Sequence, residues 1–231
     1  MLSCTTATTI LLFHRISQKF QRPEETNPRP LCPAGSDDGL TYEAQITVQN
    51  MINYYRRLVG TGWAPDKNGY APVSSLMPGL TYNCEVLGNL SKAIADKCER
   101  PPYTPSHGRT LSYHIIEKIN LNPKTVLQEA IKTWAEQSKK IDIRKIGGVV
   151  FYDNGFEVEA PDFAKMMFSQ SLFAGCSVKE CKDKGFTLAI CQYNQLFTYG
   201  DPIYDAGKSC SRCAAWNRKC DTALGGGLCI K

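Results

Sequence analysis

The sequence has little of what marks membrane proteins and hydrolytic enzymes. No apolar run approaches the ~20 residues that a membrane-spanning helix needs. The chain contains only three histidines, and it has no Gly-x-Ser-x-Gly, His-Glu-x-x-His or paired-carboxylate motif to supply a nucleophile and a base. Basic residues are not interleaved with aromatic residues along the main body, so nucleic acid is not an expected partner. We therefore predict a protein without enzymatic activity.

What the sequence has in excess is cysteine, with 11 in all. Leaving out Cys4 gives an even number, which five bridges would use. Only Cys210 and Cys213 form a Cys-x-x-Cys motif, and no second motif or histidine pair completes a zinc site. We therefore predict a disulfide framework and secretion into an oxidising, extracellular compartment. The sequon Asn89-Leu90-Ser91 agrees with secretion and makes Asn89 a predicted glycosylation site.

The two ends of the chain differ from the middle. In residues 1–31 a short apolar run is followed by polar residues without a small-residue cleavage site, so this segment is either a degenerate signal peptide or a misassigned start. Residues 206–231 hold four cysteines, few aliphatic side chains and most of the net charge of +5, which marks either a solvated surface or a site for an anionic partner. We expect a domain at 32–205 and a tail at 206–231, ordered by its own disulfides, that the domain does not need.

Hydrophobic periodicity predicts several helices and one hairpin. Apolar residues recur at helical spacing in residues 42–59, 80–98, 122–137 and, more briefly, 161–170. Residues 173–181 and 186–194 are typical of two strands joined by Lys-Asp-Lys-Gly. The order of these elements predicts an α+β fold, in which a small, mainly antiparallel sheet is covered by helices on both faces.

Four stretches in order resemble the CAP superfamily, which includes sperm-coating proteins, venom antigens and plant pathogenesis-related proteins. They are NYYRRLVGTGWAPDKNGYAPVSSLMPGLTYNCEV (Asn53–Val86), DFAKMMFSQSLFAGCSVKEC (Asp162–Cys181), LAICQYNQLFTYGDPIYDAGKSC (Leu188–Cys210) and CSRCAAWNRKCDTALGGGLC (Cys210–Cys229). Within the superfamily the sequence is most similar to the activation-associated secreted proteins of parasitic nematodes, including hookworm secreted inhibitors. The resemblance covers about residues 32–231 and implies a three-layer α-β-α sandwich with a cysteine-rich, hinge-like tail.

The predicted hairpin and the resemblance together suggest how the cysteines pair. Hairpin geometry would let Cys176 and Cys191 face one another across adjacent strands. One further bridge would then join the second helix to the hairpin, and another would join the N-terminal entry to the second helix. The resemblance implies two more bridges within the tail. These pairs are Cys98–Cys181, Cys32–Cys84, Cys210–Cys220 and Cys213–Cys229. Sequence alone leaves the connectivity open.

The same resemblance implies a metal-binding tetrad of two histidines and two glutamates in a central cleft, from which this sequence departs. Asp162 stands where the family signature has histidine, and Glu136 follows the tryptophan of the third helix. His107 lies near the position of the other histidine, and Glu117 or His114 would stand for the other glutamate. Zinc is normally held by nitrogen- or sulfur-rich sets, so we expect no cofactor and no tight zinc site. These residues form either a weak, calcium- or magnesium-like pocket or merely polar groups along a cleft.

The resemblance implies a secreted effector that binds a host cell-surface protein, such as an integrin or another receptor of leukocytes or platelets, and so modulates host immunity. The loops Trp63–Gly79 and Glu99–Arg109 would carry recognition residues on a rigid core. The alternative function is sequestration of a sterol or fatty acid, as in related proteins. Phe163, Met166 and Met167 would then line an apolar groove instead of packing in the core.

Overall fold

The computed structural model describes residues 32, 33, 36–223 and 225–231, and the chain from Leu31 to Lys231 forms one compact unit. The expected N-terminal segment, residues 1–31, lies outside the described residues. No helix among the described residues is long and apolar enough to cross a membrane.

The described chain contains five α-helices and ten strands. The α-helices are α1 (Tyr42–Thr61), α2 (Asn89–Ala95), α3 (Pro123–Glu136), α4 (Asn154–Glu159) and α5 (Pro161–Met167). The strands are β1 (Pro65–Asp66), β2 (Gly69–Tyr70), β3 (Thr81–Tyr82), β4 (Thr110–Ile116), β5 (Val149–Phe151), β6 (Phe173–Cys181), β7 (Phe186–Tyr193), β8 (Pro202–Asp205), β9 (Lys219–Cys220) and β10 (Cys229–Ile230). A π-helical turn at Cys84–Gly88 precedes α2 within the second predicted helix. A 3-10 turn at Gln137–Lys140 continues the third predicted helix after α3.

Helix α1 has clear start and stop signals. The side chain of Thr41 accepts a hydrogen bond from the backbone N–H of Ala44, which satisfies one donor of the first turn. Gly62 ends the helix in the left-handed conformation, with a φ of 84°, which glycine adopts without steric cost. Four apolar residues at helical spacing form its buried face: Ala44, Val48, Ile52 and Val59.

The middle layer is a four-stranded sheet in the order β3-β6-β7-β4. Strands β6 and β7 form the predicted antiparallel hairpin, β4 pairs antiparallel with β7, and β3 pairs parallel with β6. The sequence did not predict β3 or β4. Strand β3 has two residues, and β4 is buried over its first three residues without alternation, so neither shows the period-2 pattern of a half-buried strand.

Helices cover both faces of this sheet. All eight residues of β7 are buried, and alternate residues point to opposite faces. Ala189, Cys191 and Tyr193 enter a large core with α1, α3 and α5, whereas Leu188 and Ile190 enter a second core with α2. The fold is therefore the predicted α+β, three-layer α-β-α sandwich with a disulfide-rich C-terminal region.

The C-terminal region packs directly onto the sandwich, which differs from the expected separation of domain and tail. Leu228 belongs to the large core, and Cys229 is fully buried and donates its N–H to the carbonyl of Met77 at 2.8 Å. A Cβ placed on Gly60 of α1 would lie 1.9 Å from the carbonyl oxygen of Gly227. The small number of aliphatic residues in the tail gives no sign of this packing. Leu228 is nevertheless buried in the main core, whereas Ile230 stays 40% exposed.

Five disulfides staple the fold. Two join distant segments, one crosses the β6–β7 hairpin, and two lie in the C-terminal region. The pairs are Cys32–Cys84, Cys98–Cys181, Cys176–Cys191, Cys210–Cys220 and Cys213–Cys229. They are the same pairs that the hairpin and the resemblance suggest. Cys213 and Cys229 both belong to the tail and pack on the buried Leu76, so their bridge fixes the tail at the place where it contacts the sandwich.

Candidate functional site

Asp162 lies in the first turn of α5, where its carboxylate is held by two neighbouring side chains. Gln137 donates from Nε2 to one carboxylate oxygen at 3.0 Å, and Lys165 contacts the other at 2.9 Å. The side-chain oxygen Oε1 of Gln137 in turn accepts from the backbone N–H groups of Asp162 and Phe163. The side chain of Asp162 is only 17% exposed. This arrangement caps the start of α5 and neutralises the carboxylate.

Gln137, and not the expected Glu136, is the residue that reaches Asp162 from the end of α3. The carboxylate of Glu136 is directed to Lys139, at 3.4 Å, and stays about half exposed. Residues three apart on a helix share a face, and Gln137 lies three residues after the buried Trp134. That spacing could have found Gln137. The expectation of Glu136 follows from the family resemblance, which implies a glutamate after the tryptophan of the third helix.

The other candidate ligands lie with separate partners. Glu117 forms a two-point ion pair with Arg100, and the Nε2 atom of His114 lies 3.2 Å from Glu129. His107 is exposed in a loop. Across the described part of the chain, the one group of three His, Cys, Asp or Glu ligand atoms within 4.8 Å of each other is Cys32, Asp38 and Cys84, of which the two cysteines form a disulfide. The structure therefore does not assemble the expected ligands.

The surroundings of Asp162 do not fit a zinc ion. Among the residues that the structure describes, no histidine or free thiol accompanies it, an amide occupies one carboxylate oxygen, and an ammonium group already balances its charge. Zinc sites in proteins use deprotonated sulfur, imidazole nitrogen or free carboxylates in a tetrahedral set. The expectation that the cleft holds no tight zinc remains a prediction, and it now rests on contacts instead of on the missing histidine alone.

The protein interior next to α5 contains polar side chains that solvent does not reach. Arg56 is fully buried and donates from Nη1 to the backbone carbonyl of Met166 at 3.2 Å, which ties α1 to α5. Burial raises the pKa of Tyr193 well above its usual value, so its hydroxyl stays protonated. A hydroxyl that keeps its proton at all ordinary pH values is not a general base.

A second candidate surface is more exposed to solvent than Asp162 and its neighbours. Residues Trp63–Tyr70, hereafter the aromatic hairpin, contain β1 and β2 and present Trp63 and Tyr70 to solvent with 64% and 60% of their surfaces exposed. Their rings pack edge to face, with centroids 5.7 Å apart. Ala71 N–H donates to the Ala64 carbonyl at 2.9 Å and closes the base of the hairpin. The hairpin is therefore a fixed display of two exposed aromatic side chains.

Contacts with the turn after α3 hold the aromatic hairpin in place. Ser138 Oγ donates to the carbonyl of Pro65 at 2.7 Å, and the N–H of Lys67 donates to the carbonyl of Ile141 at 2.9 Å. A cavity of about 190 Å³ opens beside these contacts. It is lined by Tyr54, Tyr55, Leu58, Ala64, Pro65, Ala135, Glu136, Ser138, Lys139 and Phe163.

The second expected recognition loop, Glu99–Arg109, is pinned to the sheet. Tyr103 stacks edge to face on Tyr113, with centroids 5.0 Å apart, and its hydroxyl donates to the Glu99 carbonyl. The backbone N–H of Ser106 donates to Gln192 at 2.8 Å. This loop exposes less aromatic surface than the aromatic hairpin, since its tyrosine, Tyr103, is half-buried.

Phe163, Met166 and Met167 are core residues. Their exposed fractions are 2%, 0% and 0%, so together they do not form an open apolar groove, and of the three only Phe163 contributes to the wall of the cavity beside the aromatic hairpin. The predicted glycosylation site is also partly enclosed: Asn89 donates from Nδ2 to the Glu85 carbonyl, and the hydroxyl of Ser91 is buried against the Gly175 carbonyl. Glycosylation of Asn89 stays a prediction.

Comparison with known proteins gives the family. The model of the cysteine-rich secretory protein family, CAP, matches residues 49–193. This chain belongs to that family, whose members are secreted and generally not enzymes. A comparison with curated proteins found no significant match.

Three solved structures share the fold over most of this chain. NaASP2, crystallised with Zn²⁺, is 25% identical with a TM-score of 0.72, covering 86% of this chain and 99% of its own. Na-ASP-1 is 24% identical with a TM-score of 0.71, covering 90% of this chain and 51% of its own. The hookworm platelet inhibitor is 24% identical with a TM-score of 0.60, covering 83% of this chain and 92% of its own.

Proposed function

We propose that this protein is a secreted, non-enzymatic effector that binds a host cell-surface protein, of the integrin, leukocyte or platelet type, through the aromatic hairpin. The observation that carries the proposal is the exposure of Trp63 and Tyr70 on a hairpin fixed by hydrogen bonds at its base and along its side. A platelet receptor is one of the proposed partners, and the name of one solved relative, the hookworm platelet inhibitor, supports it.

Exposed aromatic residues of this kind are suited to protein recognition. Tryptophan and tyrosine are enriched among the few residues that supply most of the binding free energy at interfaces. Because Trp63 and Tyr70 already pack on each other and the backbone around them is fixed, binding costs little additional side-chain or loop entropy. The disulfides extend this rigidity to the whole domain.

The contacts of the candidate polar residues support a function without catalysis. Every cysteine from Cys32 to Cys229 lies in a disulfide and offers no thiolate nucleophile. Asp162 is neutralised by Lys165 and Gln137, and His114 is paired with Glu129. These groups serve packing and capping contacts in place of an acid–base pair.

Sequestration of a sterol or fatty acid is the second candidate function. Two adjoining depressions between α1 and β10, of about 320 Å³ and 570 Å³, share Asn53, Gly79 and Ile230. Their volumes fall in the range of roughly 300–1,000 Å³ of small-molecule sites. They would hold a lipid better than the predicted groove of Phe163, Met166 and Met167, whose side chains are almost entirely buried. Mass spectrometry of organic extracts from the purified protein tests it, and the absence of any lipid at near-stoichiometric amounts would reject it.

The main proposal is tested by binding to a panel of leukocyte and platelet ectodomains, integrins included. Trp63→Ala and Tyr70→Ala should each weaken the interaction by about tenfold or more, because each removes a large anchor. Tyr199→Ala is a matched control, since Tyr199 is 64% exposed but lies outside the hairpin, and it should leave affinity unchanged. Equal affinity of the wild type and both hairpin variants would reject the site.

A further inference from the structure

We infer that the segment recognised by the aromatic hairpin is an acidic stretch of a protein that inserts one apolar side chain into the adjoining cavity. This inference rests on the proposed function and adds the chemistry of the partner. Two independent features carry it: the charges around the hairpin, and the shape and lining of the cavity.

Basic residues surround the aromatic hairpin. Lys67 lies at its tip and is hydrogen-bonded through its backbone to Ile141, which directly follows Lys140. Lys139 lines the cavity, and Lys145 follows on the same segment. All four lysines are exposed.

The acidic residues of this region are occupied by internal contacts. Asp66 accepts from the backbone N–H groups of Asn68 and Ile143, and Asp142 pairs with Arg144. Glu136 pairs with Lys139.

Three lysines of this region have no ion-pair partner, and Asp66 keeps its negative charge although backbone N–H groups hold it. Among the described residues, no carboxylate lies within ion-pair distance of Lys67, Lys140 or Lys145. Unpaired lysines beside exposed aromatic residues match the ordinary anatomy of an interface, in which a charged rim surrounds an apolar centre. Such a rim attracts a partner of opposite charge and speeds its association.

The cavity specifies what the partner inserts. Its wall is mainly apolar, with Leu58, Ala64 and Phe163 facing it, and the ionised residues Glu136 and Lys139 already neutralise one another. At about 190 Å³ it is smaller than the roughly 300–1,000 Å³ of small-molecule sites. A single apolar side chain fits this lining and size, whereas a phosphate headgroup or a sulfated sugar would leave its charge against an apolar wall.

The two features should act on different rate constants. The unpaired lysines act at long range and therefore raise the association rate, in a manner that salt screens. The inserted side chain acts only after docking and therefore lowers the dissociation rate.

The test uses surface plasmon resonance with a short synthetic peptide in which aspartates and glutamates flank one phenylalanine. The wild-type protein should bind it, and raising the salt concentration should slow association. Replacing Lys67, Lys140 and Lys145 together by glutamate should slow association by about tenfold or more. The matched control replaces three lysines that are exposed elsewhere, Lys97, Lys118 and Lys219, by glutamate, and should stay within about twofold of the wild type. Changing the phenylalanine of the peptide to serine should mainly speed dissociation.

Several results would overturn the inference. Equal binding of the two triple variants would show that the hairpin lysines play no special part, and preference for a lysine-flanked peptide would give the wrong charge. Stronger capture by phosphatidylserine vesicles or heparin than by the peptide, lost in the hairpin triple variant, would identify a membrane or polysaccharide as the occupant. If Trp63→Ala abolishes ectodomain binding but the hairpin triple variant does not weaken it, the proposed function stands and only this inference fails.

Discussion

The hydroxyl of Tyr82 donates a hydrogen bond to the carboxylate of Asp38 at 2.5 Å, and both side chains are buried. The same carboxylate accepts from Gln45, beside the bridge that joins Cys32 to Cys84. This contact holds the start of the described domain against the sheet. Tyr82→Phe leaves a buried carboxylate with one donor fewer, so the free energy of unfolding should fall by about 1–3 kcal/mol. Chemical denaturation measures this, and an unchanged stability would show that the contact is dispensable.

The Asp38 carboxyl should also make stability depend on pH. Burial raises its pKa above the usual value of 3.8, so the folded state favours the protonated form. Its contribution is therefore fully present below pH 3.8 and is lost as pH rises through the folded-state pKa. Asp38→Asn removes this titration, so the difference in unfolding free energy between the variant and the wild type should grow in favour of the variant as pH rises. A difference that is constant with pH would contradict the assignment.

Close packing of α1 on the tail gives a third prediction. Gly60→Ala would place a methyl group 1.9 Å from the carbonyl oxygen of Gly227, so the tail must move away from the helix. We expect a loss of about 1–3 kcal/mol or more in thermal or chemical unfolding. Gly79→Ala is the control, because its added methyl group would meet Ile230 at an ordinary 3.6 Å. If both variants are equally stable, the tail is not packed as described.

Much of the fold follows from the sequence because its longest elements have clear periodicity. The helix at Tyr42–Thr61 has apolar residues at the spacing of one buried helix face. The hairpin of β6 and β7 consists of two apolar runs joined by a short polar turn. Strand β3 lacks that signal because it is only two residues long, and its place depends on pairing with a strand far along the chain. Such pairing is a property of tertiary structure and is not encoded in a local pattern.

The candidate site was only partly predictable for the same reason. Asp162 was found through the motif, but its partner Gln137 was missed because a neutral amide carries no obvious chemical signal. The sequence predicts that the loop Trp63–Gly79 carries recognition residues, but it does not indicate which side chains these are. The edge-to-face pair of Trp63 with Tyr70 depends on the tight β1–β2 turn, which brings residues seven apart together. Exposure of both rings is a property of the folded surface.

Removal of the C-terminal region should affect α1 first. Arg57 forms a partly buried ion pair with Asp221 at 2.6 Å, and Leu228 packs into the large core. A chain that ends at Tyr204 loses both contacts, so amide protection should fall in the last turns of α1. This expectation replaces that of an independent domain ending before the tail. Hydrogen exchange measures it, with α2 on the opposite face of the sheet as an internal reference. Unchanged protection of α1 would restore the sequence-based boundary.

The last prediction concerns metal binding at Asp162. The wild-type protein should show no nanomolar affinity for zinc in calorimetric titration, because Gln137 and Lys165 already hold the carboxylate. Asp162→His alone should still bind zinc weakly, since the Lys165 ammonium remains nearby and repels a cation. Adding Gln137→Glu supplies an anionic ligand beside the new imidazole and a partner for Lys165, so the double variant should bind zinc more tightly than either single variant. Nanomolar binding by the wild type, abolished by His107→Ala, would instead mean that this chain assembles a zinc site from residues that the structure keeps apart.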